Sequence, residues 1–91
     1  MKKIGITGQN GFVGKHLYNT LGLFPDEFER VDFQKEFFED ETKLDEFTSK
    51  CDVIVHLAAM NRHESDQFIY ETNVGLANQL VDSLKRTNSK A

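Results

Sequence analysis

Thr7-Gly8-Gln9-Asn10-Gly11-Phe12-Val13-Gly14 is the stretch on which the fold is decided. Before it, Lys2 to Thr7 reads as a short buried strand, with β-branched Ile4 and Ile6 around Gly5. After it, Val13, Leu17 and Leu21 recur every four residues, one face of a helix. The glycines at 8, 11 and 14 therefore lie on a strand-to-helix turn. Gly8 lets the chain leave the strand in a conformation that a Cβ would obstruct. Gly11 lets backbone approach a pyrophosphate closely, and Gly14 lets the helix lie against the strand. The helix start then offers free N–H groups and about half a unit of positive charge to phosphates. An ordinary glycine turn is the competing reading, and the strand before and helix after favour nucleotide binding.

Working outward, Gly22 is a natural helix cap and Pro25 a stop. Phe28 to Phe33 reads as a second strand with a polar interruption, and Lys35 to Phe38 as a very short third. A helix starts around Asp40 or Thr42, with Leu44, Phe47 and Cys51 on one face. Asp52 to Ala59 is the clearest strand, and its apolar run fits a strand covered on both faces. After a loop over 60–65, Asp66 to about Arg86 is a long helix with Ile69, Leu76, Leu80 and Leu84 along one side. Thr87 to Ala91 is a polar exit. Strands alternating with helices imply right-handed βαβ units and a parallel sheet. The expected class is α/β: part of a doubly wound Rossmann sheet, strand order 3-2-1-4, with helices on both faces.

Composition sets the outer bounds. With 91 residues, 38% hydrophobic and 29% charged, the chain is one domain and not a low-complexity polymer. No run approaches the length of a membrane span. Met1-Lys2-Lys3-Ile4-Gly5 does not read as a secretory signal. Cys51 has no cysteine partner, and no Cys/His spacing suits zinc, so no metal is expected. A net charge of −4 disfavours nucleic acid and acidic membrane as partners. A soluble, cytoplasmic location is expected. Met1 to Pro25 contains no acid, whereas Asp26 to Asp52 is strongly acidic. An acid-free opening suits a phosphate-bearing ligand; a solvated acidic face is the plainer account of the same asymmetry.

An acid is expected at the end of the second strand to bind the adenosine ribose. Asp32 stands there, and its carboxylate would accept from the ribose hydroxyls and repel a 2′-phosphate. That favours NAD over NADP, although Arg30 is close enough in sequence to keep NADP open.

Taken together, these motifs resemble the extended short-chain dehydrogenase/reductases, the NAD-dependent epimerases, dehydratases and reductases of nucleotide sugars. Thr7-Gly8-x-x-Gly11-Phe12-x-Gly14 is similar to that family's cofactor loop, and Asp52-Val-Ile-Val-His-Leu-Ala58-Ala59 to its fourth strand. Asn73-Val74-Gly75-Leu76 nearly matches a third motif, with the glycine one place early. The resemblance implies that Gly8, Gly11, Phe12, Val13 and Gly14 hold the pyrophosphate of NAD (or NADP), Asp32 the ribose, and that Leu57, Ala58 and Ala59 line the cofactor. Asn73 would stand near the cofactor or a proton relay, or simply bond neighbouring backbone. His56 is read as core packing. Gly75 within a helix implies close packing. Phe37 and Phe38 either pack on adenine or fill core. Ala59-Met60-Asn61-Arg62 resembles the bacterial branch that reduces UDP-amino sugars for capsule and O-antigen polysaccharide, in which Arg62 would contact substrate phosphate.

The family's chemistry uses a Tyr with a Lys four residues later. Here Gly22 follows Tyr18 and Val74 follows Tyr70 at that spacing, so no catalytic residue is assigned. The chain is read as the N-terminal half of a Rossmann domain, truncated before the fifth strand and inactive alone, with weak or no NAD affinity. Its partners would be a nucleotide-sugar substrate in the full-length protein and a second chain, as a homo-oligomer or along the exposed edge of the fourth strand. A non-catalytic dinucleotide-binding regulatory module is the alternative. A P-loop is disfavoured because no Gly-Lys-Ser/Thr follows the turn.

Overall fold

Residues 1–59 and 65–91 are described by the structure, a computed structural model. β1 (Lys2–Thr7) is the central strand of a parallel sheet, flanked by β2 (Phe28–Val31) and β3 (Val53–His56) in the order β2-β1-β3. Its central place agrees with its burial: Ile4, Gly5, Ile6 and Thr7 are all buried. Alternation along the strand sends Gly5 and Thr7 to one face and Ile4 and Ile6 to the other. A Cβ on Gly5 would lie 2.5 Å from both Cys51 Sγ and the Phe47 ring. Phe47 belongs to α2 (Glu41–Lys50) and Cys51 is its C-terminal cap, so α2 covers the Gly5 face. From β1 to β2 the chain steps one way across the sheet, and from β2 to β3 it steps back. Right-handed crossovers then place α1 (Phe12–Leu21) and α2 on opposite faces. α3 (Asp66–Thr87) packs along α2.

The core lies under α2 and α3. Val31, Phe33, Leu44, Phe47, Cys51 and Leu80 are buried together, with Phe37, Phe38, Ile54 and Leu84 packed against them. Phe33 is the hub: the rings of Phe37, Phe38 and Phe47 meet it edge-on at 5.4, 5.5 and 5.0 Å. α2 and α3 are also joined by polar groups. The buried hydroxyls of Thr48 and Ser83 lie 2.9 Å apart, and Ser83 donates to Asp45 Oδ1 at 2.6 Å. Arg86 grips the same carboxylate with two nitrogens, at 2.8 and 3.1 Å, and holds the Asp45 pKa below the usual carboxylate value.

Three local expectations are corrected. Lys35 to Phe38 is not a third strand: Lys35–Glu39 is a 3₁₀ helix, so the 3-2-1-4 order loses its outermost member. A strand would send Phe37 and Phe38 to opposite faces, whereas the helical turn brings both rings onto Phe33. The second strand ends at Val31 and the one after α2 at His56, short of Phe33 and Ala59. Gly75 is not a close-packing site, because a Cβ there would meet nothing within 4 Å. Gly22 does cap α1, but in right-handed backbone. Its small size instead admits the Arg30 guanidinium, which rests 4.3 Å over the Tyr18 ring.

Candidate functional site

The turn from β1 into α1 is shaped by its glycines in three different ways. Gly8 has φ +80°, left-handed backbone that favours glycine, and a Cβ there would lie 2.9 Å from the Ala58 nitrogen. The Gly11 N–H donates to Gly8 O at 3.0 Å and closes the turn. Gly14, buried in α1, lies on that turn so closely that a Cβ would run into the Gly8 carbonyl oxygen. Gly11 differs from both. A Cβ on it would touch only Gly8 O, at an ordinary 3.4 Å, so packing within the chain does not require glycine there.

Gly11 is also the N-cap of α1, where no side chain caps the helix and no acid occupies the first turn. Lys15 N–H donates back to Gly11 O at 2.8 Å. The N–H groups of Phe12, Val13 and Gly14 therefore belong to the first turn, which has no acceptor four residues earlier. The residues that carry them line a groove of about 830 Å³, a size suited to a small-molecule or cofactor site. All seven residues from Gly8 to Gly14 line it, with Leu57, Ala58 and Ala59 from beyond β3. Phe33, Lys35, Phe38 and Glu39 contribute from the 3₁₀ segment, and Thr72, Leu76 and Gln79 from α3. Phe37 and Phe38 thus both fill core, and Phe38 lines the groove as well.

Asp32 follows β2 and is exposed. Its carboxylate accepts from Gln34 Nε2 at 3.1 Å and, more weakly, from Gln9 Nε2 at 3.4 Å. Gln9 lines the groove and so joins Asp32 to it. The Gln9 Oε1 atom is buried without a hydrogen-bond partner among the described residues. A buried acceptor beside a carboxylate suits a donor such as a ribose hydroxyl. The glycine cradle, the uncapped helix start and this acceptor together fit an adenine dinucleotide. Asn73 is placed elsewhere, lining a separate hollow on α3 with Asp66, Tyr70 and Val74. Arg62 lies outside the described residues.

Thr7 is the residue that sequence reasoning missed. It is fully buried at the end of β1. Its Oγ1 accepts from Leu57 N–H at 3.0 Å and Ala58 N–H at 3.1 Å, and stands 2.6 Å from His56 Nδ1. A hydroxyl closing the Ile4-Gly5-Ile6 run was the one local sign of its burial, and nothing local pointed to its partners. Burial lowers the pKa of His56 and raises that of Cys51, whose thiol is pushed up to about 11. Among the described residues no group of side chains could hold a metal ion, and no helix is long and apolar enough to cross a membrane.

Residues 4–91 match the family model of the NAD dependent epimerase/dehydratase family. The chain belongs to that family. Its fold is that of a solved UDP-N-acetylglucosamine 4-epimerase from Bacillus cereus, with a TM-score of 0.75 and 22% identity over 98% of the present chain. The chain spans 33% of that protein's length. No curated protein matches it.

Proposed function

We propose that this chain is the cofactor-cradling portion of a nucleotide-sugar epimerase, dehydratase or reductase. The observation that carries the reading is the start of α1: uncapped, seated on the Gly8 turn through Gly14, and open to the groove at Gly11. The backbone amides of Phe12 and Val13 would hold the diphosphate, and Leu57, Ala58 and Ala59 would flank the cofactor. When bound, NAD supplies reversible hydride transfer. The chain's own contribution is to bind and orient it, since no Tyr-x-x-x-Lys pair occurs within these 91 residues.

The preference for NAD over NADP rests on Asp32 and Gln9, which present acceptors where a 2′-phosphate would be repelled. Cytoplasmic polysaccharide assembly, in the UDP-amino-sugar reductase branch with Arg62 at the substrate phosphate, is proposed from the Ala59-Met60-Asn61-Arg62 sequence alone. The test is a titration of the chain with NAD and with NADP, followed by NMR. Weak binding that favours NAD is expected, with Asp32→Ala losing affinity about tenfold, the effect of one hydrogen bond to a charged group. Equal affinity for the two dinucleotides, unchanged in Asp32→Ala, would remove the assigned preference. Micromolar affinity would contradict the view that only part of the site lies in this chain.

A further inference from the structure

The contacts around Thr7 leave little freedom in where protons sit. A hydroxyl has one hydrogen and two acceptor positions. Both acceptor positions of Thr7 Oγ1 are taken by backbone N–H groups: Ala58 at 3.1 Å, and Leu57 at 3.0 Å in a bond it shares with the Thr7 carbonyl oxygen, also at 3.0 Å. Its hydrogen therefore goes to the third neighbour, His56 Nδ1 at 2.6 Å. Nδ1 must then be bare, so His56 is neutral with its proton on Nε2. Leu57 and Ala58 are also the residues against which Gly8 packs, with a would-be Cβ 2.9–3.1 Å from their backbone atoms.

We propose that Thr7 and His56 form a proton-dependent latch that positions the Leu57–Ala58 backbone against the glycine turn, making His56 a positioning residue for dinucleotide binding. This rests on the function proposed above. Protonating His56 puts a hydrogen on Nδ1, pointed at an oxygen whose acceptor positions are already filled. The hydroxyl must then turn and release the Ala58 amide or its share of the Leu57 bond, the Leu57 amide keeping the Thr7 carbonyl. Burial disfavours that proton, in the same sense as the hydrogen bond. Few charges surround the ring. The 3₁₀ segment brings Lys35 and Glu39 to the groove, and Asp82 of α3 lies with Arg86 around the hollow beyond Phe38. β1 and α2 turn uncharged Gly5, Thr7, Leu44 and Phe47 to this side.

The test is nitrogen-15 NMR of the His56 ring and the backbone amides in the free chain, from about pH 8 to about pH 5, where histidine titrates. The account expects a protonated Nε2 and bare Nδ1 at the upper end. The Leu57 and Ala58 amide signals should move with the midpoint of the His56 ring. His56→Asn offers a non-titrating acceptor in place of Nδ1 and should hold those amides still across the range. NAD, whose diphosphate bridge does not titrate there, should lose affinity about tenfold per pH unit below the His56 midpoint, and not in His56→Asn. Thr7→Ser should keep the behaviour and Thr7→Val abolish it. A protonated Nδ1 at neutral pH, or Leu57 and Ala58 signals indifferent to the His56 midpoint, overturns the latch. An intact latch in a chain that binds NAD at no pH would instead overturn the proposed function.

Discussion

Individual residues in the glycine turn are constrained for different reasons, and substitution separates them. Gly14→Ala drives a Cβ into the Gly8 carbonyl and should destabilise the fold by about 1–3 kcal/mol, as overpacking does. Gly11→Ala meets only an ordinary contact, so its melting temperature should stay near that of the parent while NAD binding is lost. Equal destabilisation of the two variants would show that Gly11 serves packing rather than ligand approach. Cys51 belongs to the core: with its thiol pushed up to about 11 and its side chain buried, alkylation at neutral pH should proceed only through unfolding. Labelling of the folded chain at the rate of a free thiol would contradict that placement.

Helices in this chain are set by local signals that the sequence displays, and where those signals are absent the reading fails. Asp40 accepts from Lys43 N–H at 3.3 Å and Ser65 from Phe68 N–H at 3.2 Å, so α2 and α3 begin at readable caps. Ser65→Ala should cost about 1 kcal/mol in a denaturant titration, and no change would show that α3 starts without help from its cap. Gly75 gives the opposite expectation. Exposed in mid-helix with open space around its Cα, it should yield about 0.5–1 kcal/mol of stability on replacement by Ala. The 3₁₀ segment was not legible because Phe37 and Phe38 suit a strand by propensity, and their rings are placed by Phe33, four and five residues back, together with Phe47 on the next helix. Thr7 was hidden for a similar reason. Its partners lie 49 to 51 residues away, and no local pattern announces them.

At the scale of the molecule, the β1-turn-α1 unit was readable because its logic is contained in one continuous stretch, Lys2 to Leu21. The far side of the groove, assembled from the 3₁₀ segment and α3, required tertiary structure. The pH dependence of stability follows from groups spread over the fold. Asp45 and Asp52 are held below the ordinary carboxylate value of 3.8, Asp45 by Arg86 and Asp52 by the Lys3 N–H and Lys90. Their contribution is full above that value and is lost as pH falls through their lowered folded-state pKa values. His56, lowered from 6.5, acts in the same direction at higher pH, so stability should begin to decline as pH falls below that value. A melting temperature that rises between about pH 6.5 and about pH 5 would contradict the His56 assignment. Among the described residues β3 pairs on one side only, and Val53, Val74 and Val81 are exposed. Such an edge should promote concentration-dependent self-association, and a strictly monomeric chain in sedimentation experiments would oppose it.

The most direct test of the central claim is an amide-resolved NMR titration of the chain with NAD. The account predicts that the largest shifts fall on Gly11, Phe12 and Val13, and that they vanish in a folded Gly11→Ala variant. Shifts centred elsewhere, or none at millimolar NAD in the folded parent chain, would contradict the assignment of this helix start as a diphosphate site.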